Sequence, residues 1–324
     1  MIIVRFTSGL GNQIFQYAFY QFMKQQYPET KVRADLTWFH ANNDHHGYEL
    51  ERIFAGVEGS DFNLEQATTV ELMKVTGIIP CFMRGKWGSA FDKFRRYPNR
   101  LIRIFTEKKR QLYKIDELQE CFTAEEMNTA VHALYQKVMK LDTSKDWYLS
   151  GFWTEEAYYK DRLEQGVLQK ELVFPKLTGR NAELATDIAT YNAVSIHVRR
   201  GDYLTKYASD FIALGREYYE KAVTYIEQQV ESPVYYIFSD DSTFAEEEFT
   251  WIANKVIVSH NTGEESYRDM QLMSLCKHNI IANSTFSQWS AFLNQNSGHI
   301  TVYPKQYMHQ KDNEKKSLAN WIML

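Results

Sequence analysis

The chain of 324 residues carries a net charge of −4, with 44% hydrophobic and 24% charged residues. That length supports one large or two medium domains with real cores, and the composition excludes a disordered or fibrous chain. The mildly acidic balance excludes the broad basic field of a nucleic-acid binder, so any anion site must be local. In chain order, "MIIVRF" opens with a strand over 2–6, followed by a turn at 7–11, a helix over 12–27 and a strand near "KVRADL" (31–36). Residues 60–145 read as long, mostly helical, amphipathic stretches with solvated charge clusters such as "EKKR" (107–110).

The second half is more regular. "AVSIHV" (193–198), "VYYIF" (234–238), "KVIV" (255–258), "NIIA" (279–282) and "HITVY" (299–303) are short apolar runs that read as buried strands. Between them Tyr219, Ala222, Val223, Ile226 and Val230 recur at helical spacing, and further helical stretches fall at 264–277 and 284–295. Thr243 with Glu246 resembles a capping box for the intervening helix. The closing "SLANWIML" (317–324) reads as a short amphipathic helix. Strand alternating with helix predicts an α/β chain of two lobes with doubly wound parallel sheets, the boundary lying between 145 and 190. We place it at 150/151, with the last helix free to pack back on the first lobe.

The three cysteines, Cys81, Cys121 and Cys276, are far apart and odd in number. They form neither a zinc spacing nor a disulfide framework, which points to a reducing, cytoplasmic compartment. No window reaches the length of a membrane span. The 21 Tyr, 20 Phe and 7 Trp fit carbohydrate handling, although an aromatic-rich core is the simpler account.

In an open α/β sheet, ligands bind beyond the carboxyl ends of the strands. Here those ends read Arg199-Arg200-Gly201-Asp202-Tyr203, Ser239-Asp240-Asp241, Ser259-His260-Asn261 and Asn283-Ser284-Thr285. Guanidinium groups match phosphate oxygens and stay charged. A strand-to-helix junction at Asn283-Ser284-Thr285 offers free N–H groups and a helix dipole. Together they read as a diphosphate site, with ion-pair bracing of Arg199 or Arg200 by Asp202 or Asp240 as the plainer alternative. No Asp-x-Asp occurs, Asp240-Asp241 are adjacent, and His45-His46 are a poor spacing for one ion, so no metal is expected; the arginines and helix N-terminus would take its place.

"GLGNQIFQYAF" (9–19), "GFWTEEAYY" (151–159), "HVRRGDY" (197–203), "FSDD" (238–241) and "NSTFSQWSAF" (283–292) together resemble the α-1,2-fucosyltransferases of glycosyltransferase family 11, in matching order from residue 1 to about 305. The second motif departs from the family's glycine-tyrosine-aromatic-Gln-Ser-Glu, which weighs against an acceptor-side role for Glu155. The resemblance implies a GT-B-like fold, two Rossmann-like lobes facing a central cleft. It implies GDP-β-L-fucose as donor, inversion to an α-1,2 linkage on a terminal galactoside, and no cofactor or metal. It further implies a surface glycan such as O-antigen or capsule as product, and a peripheral membrane contact through a lipid-linked acceptor; the N-terminal anchor of vertebrate relatives is absent from this sequence.

Carried over residue by residue, His197 contacts guanine, Arg199 and Arg200 hold the diphosphate, and Ser284, Thr285 and Phe286 bind phosphate through their backbone. Asp269 reads the guanine N–H groups. Tyr203, Ser239, Asp240 and Asn283 complete the donor site. Asp202 is the first candidate for general base and Asp35 the alternative, while a role for Asp202 in orienting Arg200 stands equally open. Gly9 and Gly11 let the opening loop approach the sugar diphosphate, and Asn12 and Gln13 hydrogen-bond fucose or acceptor hydroxyls.

Two rivals are weighed against this reading. Gly9-Leu10-Gly11 with Asp35 is an incomplete dinucleotide fingerprint for an NAD-dependent oxidoreductase, because Ile14 stands where a third glycine is wanted. A non-catalytic nucleotide-sugar or glycan-binding module on a retained fold is the other.

Overall fold

A computed structural model describes residues 1–42, 45–107, 113–122, 124, 126–309, 311–312 and 320–324. Most of "EKKR" and the start of "SLANWIML" therefore lie outside the described residues. The chain divides into two units, Met1–Val173 and Phe174–Leu324.

The first unit is built on four parallel strands, β1 (Ile2–Arg5), β2 (Val32–Asp35), β3 (Tyr113–Asp116) and β4 (Trp147–Ser150), in the order β2-β1-β4-β3. The apolar run Ile2-Ile3-Val4 of β1 occupies an inner position, where both faces are covered and no polar alternation is needed. The helix Leu10–Gln26 follows and is buried on nearly every side, so Phe15, Tyr17, Phe19, Tyr20 and Met23 point in all directions. Trp153 stacks on Phe19 with centroids 3.9 Å apart, and Tyr159 meets Phe15 edge-on at 5.3 Å. Gln16 Nε2 donates to the Gly151 carbonyl at 3.0 Å. These contacts bind 151–173 to the first unit, which moves the division from the expected 150/151 to 173/174. The 60–145 region is helical over Thr69–Thr76, Lys86–Glu107, Glu117–Phe122 and Met127–Val138, and it also holds β3, which helical periodicity conceals. Thr68 and Glu71 form a complete capping box on the first of these helices.

The second unit holds β5 (Asn192–Val198), β6 (Pro233–Ser239), β7 (Lys255–Val258), β8 (His278–Ile280) and β9 (Thr301–Tyr303). A short antiparallel pair follows, β10 (Gln306–Met308) with β11 (Lys311–Asp312), and then β12 (Trp321–Met323). The six-stranded parallel sheet runs β12-β9-β8-β5-β6-β7. Counted in the order of its own strands that is 6-5-4-1-2-3, the doubly wound order with its reversal between β5 and β8. Alternate residues of β6 serve opposite cores. Tyr235 and Ile237 pack with Tyr219, Ala222, Val223 and Ile226, while Tyr236 and Phe238 pack with Ile188, Leu272, Met273 and Cys276.

The C-terminal segment is a strand where the sequence suggests a helix. Trp321, Ile322 and Met323 pair in parallel with Thr301, Val302 and Tyr303, and Trp321 stacks on Phe292 at 4.8 Å. The open edge of β9 supplies hydrogen bonds that four apolar residues in a row cannot provide for themselves. Likewise the helix Ser242–Glu248 is capped by Asp241, whose Oδ1 accepts from the Phe244 N–H at 3.0 Å, in place of the expected Thr243–Glu246 box.

Candidate functional site

The reversal in strand order parts the chain at the carboxyl ends of β5 and β8, and most of the predicted donor residues meet there. In the register of β5 with β6, Val198 lies beside Ser239, which puts the residues that follow each strand side by side. Arg199 Nη2 donates to Asp202 Oδ2 at 2.7 Å, and its Nη1 lies 3.1 Å from Asp240 Oδ2. Burial opposes the Arg199 charge, but Asp240 and Asp202 outweigh it and hold the guanidinium pKa above its ordinary value. Asp202 thus braces Arg199, not Arg200. The Arg200 N–H donates to Asp240 Oδ1 at 2.9 Å, while its guanidinium lies 3.5 Å from the Phe244 ring centre. Arg200 Nε is 3.6 Å from Asp241 Oδ2 and is buried without a hydrogen-bond partner. A side chain on Gly201 would meet Asp240 Oδ2 at 3.1 Å, so glycine keeps this turn tight against β6. Ser239 Oγ accepts from the Asp241 N–H at 3.0 Å and holds the second acidic turn.

His197 is buried at 5% exposure, with its ring 5.7 Å from that of Phe286. Burial first, and the Arg199 charge second, push its imidazole down to about 3, so it is neutral at neutral pH. Its Nδ1 is buried without a partner. Across the reversal, the Tyr203 hydroxyl donates to the Asn283 carbonyl at 2.9 Å, and Asn283 Nδ2 donates to the carbonyls of Ile212 and Tyr307. Asn283 and Tyr203 therefore tie the β5 loop to the β8 end. Ser284 caps the helix Thr285–Phe292, its Oγ accepting from the Phe286 N–H at 3.4 Å, and Ser284, Thr285 and Phe286 stay half-buried at the positive end of that helix.

Asp269 stands in the first turn of the helix Tyr267–Leu275. Burial pushes its carboxyl up to about 7, against the pull of the Asn261 amide, which donates to Oδ1 at 2.8 Å. Asn261 is fixed in turn by a reciprocal amide pair with Asn181, at 2.8 and 3.0 Å, and His260 Nε2 lies 2.8 Å from Asn181 Oδ1. Asn261 is visible in the sequence as a strand-end residue, but its partner Asn181 lies 80 positions away and carries no local signal.

The predicted residues of the first unit have a different character. Gly9 precedes the helix Leu10–Gln26, and a side chain there would meet the His45 ring at 3.1 Å. Gly11 is buried within the helix and Asn12 is half-buried. Gln13 is fully buried. Its Nε2 donates to the carbonyls of Ser8 and Gly47, both at 2.8 Å, and its Oε1 accepts from the Glu49 N–H at 2.9 Å. Both N–H groups and one lone pair of this amide are thus engaged within the protein, which leaves one lone pair of Oε1 for any ligand hydroxyl. Asp35, the alternative base, accepts from the Thr37 N–H at 2.9 Å and from the Tyr148 hydroxyl at 2.7 Å. Sequence reasoning also missed Glu117, whose Oε2 accepts from the N–H groups of Phe152 and Trp153 at 2.6 and 2.7 Å. Gly151 allows that approach, since a side chain there would meet Glu117 at 2.5 Å.

Residues 1–324 match the profile of Glycosyl transferase family 11. The chain is 30% identical over 331 residues to the O-antigen biosynthesis glycosyltransferase WbnK of Escherichia coli, covering 98% of each protein. It is 26% identical to an alpha-1,2-colitosyltransferase of the same organism, covering 96% of this chain and 94% of that one. Over 113 residues, 34% of this chain and 30% of the other, it is 33% identical to the mouse galactoside 2-alpha-L-fucosyltransferase Sec1.

Proposed function

The chain belongs to glycosyltransferase family 11, and from that premise we propose that it transfers L-fucose from GDP-β-L-fucose to the 2-hydroxyl of a terminal β-galactoside, with inversion, in the assembly of a surface glycan. The observation that carries this reading is the set of polar atoms left without protein partners at the β5–β8 reversal, His197 Nδ1, Arg200 Nε and Asp202 Oδ1, beside an arginine held rigid by two carboxylates. Buried polar groups are almost always paired in a finished fold, so such a cluster is what a bound ligand would complete. The activities of these relatives support an α-1,2 linkage, an O-antigen setting and a galactoside acceptor.

Each residue then has a physical task. Neutral His197 offers its free nitrogen to an edge of guanine, and the Asp269 carboxylate accepts the guanine N–H donors. Arg199 is preorganised, because Asp202 and Asp240 fix two of its nitrogens while its remaining N–H groups stay directed. Arg200 adds a second charge that its Asp241 partner engages only loosely. With the positive end of the Thr285–Phe292 helix, the arginines stabilise the negative charge that gathers on the diphosphate as GDP departs, which is the task a metal performs elsewhere. The attacked sugar carbon gains positive character as the hydroxyl approaches in line. Asp202 braces Arg199 through Oδ2, and its unpartnered Oδ1 takes the proton that the attacking hydroxyl gives up. Asn12, half-buried at the start of its helix, is a first-unit residue that remains for the acceptor side.

The reading is tested by incubating the protein with GDP-fucose and a β-galactoside and determining product mass and linkage. A fucosylated α-1,2 product is expected. Donor hydrolysis without transfer to any galactoside would move the proposal to another acceptor, and a melting shift with NADH but none with GDP would overturn it.

A further inference from the structure

The helix Lys86–Glu107 is inside out. Its packed side is small and polar. A side chain on Gly88 would meet the His40 carbonyl oxygen at 1.8 Å, so the backbone itself makes that contact. Asp92 forms an ion pair with Arg95, Arg95 Nη1 donates to the Ile79 carbonyl at 2.8 Å, and Asn99 exchanges hydrogen bonds with the Ile79 backbone at 2.8 and 3.0 Å. Its outer side is apolar. Trp87, Phe94, Tyr97 and Leu101 are 67, 72, 73 and 45% exposed. At 100° per residue they fall in one arc about 80° wide, opposite Gly88, Asp92 and Asn99. Phe91 sits at the margin of that arc, 4.3 Å from the ring of exposed Phe82. A contiguous aromatic surface of this kind marks an interaction site.

Charge identifies the partner. Between residues 84 and 103 the sequence holds seven Arg or Lys against the one carboxylate of Asp92, in a chain whose net charge is −4. Lys86, Lys93 and Arg100 are exposed along the flank of the aromatic arc. A second copy of the chain would set two such basic faces against each other in a symmetric contact, which charge repulsion opposes. An aromatic arc flanked by cations matches the boundary of an anionic bilayer, where indole and phenol rings settle among headgroups and Lys or Arg meets lipid phosphate. No helix among the described residues is long and apolar enough to cross a membrane, so this one would lie along its surface.

We propose that the outer face of Lys86–Glu107 docks the protein on the surface of an anionic phospholipid bilayer. This goes beyond the transfer reaction and does not depend on the identity of the donor. The test is flotation of the full chain with phosphatidylcholine vesicles, alone or doped with phosphatidylglycerol. Flotation with the doped vesicles only, weakened by salt, is expected. Lys86→Gln/Lys93→Gln/Arg100→Gln should lower partitioning about five-fold per charge, or roughly a hundred-fold in all. Trp87→Ser/Phe94→Ser/Tyr97→Ser should abolish it, with the melting temperature of both variants unchanged because these side chains face outward. If the aromatic triple fails to fold, the charge triple decides. Absence of flotation at low salt, flotation indifferent to the charge triple, or a dimer that either triple dissolves would overturn the proposal.

Discussion

The opening loop of the first unit and the β5–β8 reversal of the second are both strand-to-helix turns rich in polar side chains, yet their amides and carboxylates differ in how far the protein satisfies them. Around the first, both N–H groups and Oε1 of Gln13 and both carboxylate oxygens of Asp35 engage the protein itself. Around the second, His197 Nδ1, Arg200 Nε, Asp202 Oδ1 and Asn283 Oδ1 are buried and unpartnered. The same residue types are therefore consumed by the fold in one place and left with open hydrogen-bonding capacity in the other. Residue type alone does not tell the two apart; satisfaction of hydrogen bonds does.

The largest effect that would break this contrast concerns the arginines. Arg199→Ala or Arg200→Ala should lower turnover by about two to three powers of ten, as the loss of a preorganised charge does, and Arg199→Ala should also lower the melting temperature because Asp202 and Asp240 lose their shared partner. Arg199→Lys should not rescue, since an ammonium cannot span Asp202 and Asp240 while facing a phosphate. Steady-state kinetics of the three variants check this, and near-normal turnover would remove the diphosphate assignment. Next in size, Gln13→Ala strips partners from two carbonyls and one N–H. It should destabilise the fold by about 2–3 kcal/mol in denaturant titrations while the melting shift produced by GDP persists. A stable Gln13→Ala protein with weakened sugar binding would instead make the first loop a ligand site.

Asp269 gives a smaller, pH-dependent effect. Its folded pKa of about 7 lies above the ordinary carboxylate value, so the folded protein holds that proton more tightly than the unfolded chain. The stability it confers is complete below about pH 4 and is lost as pH rises through about 7. Asp269→Asn should flatten this component of the stability profile. GDP binding through the carboxylate should tighten in the wild type as pH rises through the same range, and calorimetry across that range should find no such trend in the variant. Smallest of all, Asp241→Ala should cost about 1 kcal/mol by uncapping Ser242–Glu248, measurable as a lowered denaturant midpoint.

Much of the second unit is legible in its sequence, because each strand is a short apolar run and the polar residues that follow it must stand at the sheet's carboxyl edge. Arg199, Arg200 and Ser284 could be placed at one sheet edge on that ground, whereas His197 lies within β5 itself and was reached only through the family motif. The first unit is harder to read. Its chain between 60 and 145 is dominated by helical periodicity, and β3 is only four residues long. The division at 173/174 depends on Trp153 and Tyr159 finding Phe19 and Phe15, partners more than 130 positions away.

What the sequence determined by itself was thus the alternation of strand and helix, the doubly wound character of the second unit and the chemistry of its strand ends, all consequences of local periodicity and residue type. The tertiary structure decided the pairings: Asp202 with Arg199, Asn181 with Asn261, Glu117 with the turn at Gly151, and β12 with β9 in place of a terminal helix. Hydrogen bonds and sheet edges join whichever groups the fold brings within about 3 Å, and that proximity is a property of the whole chain.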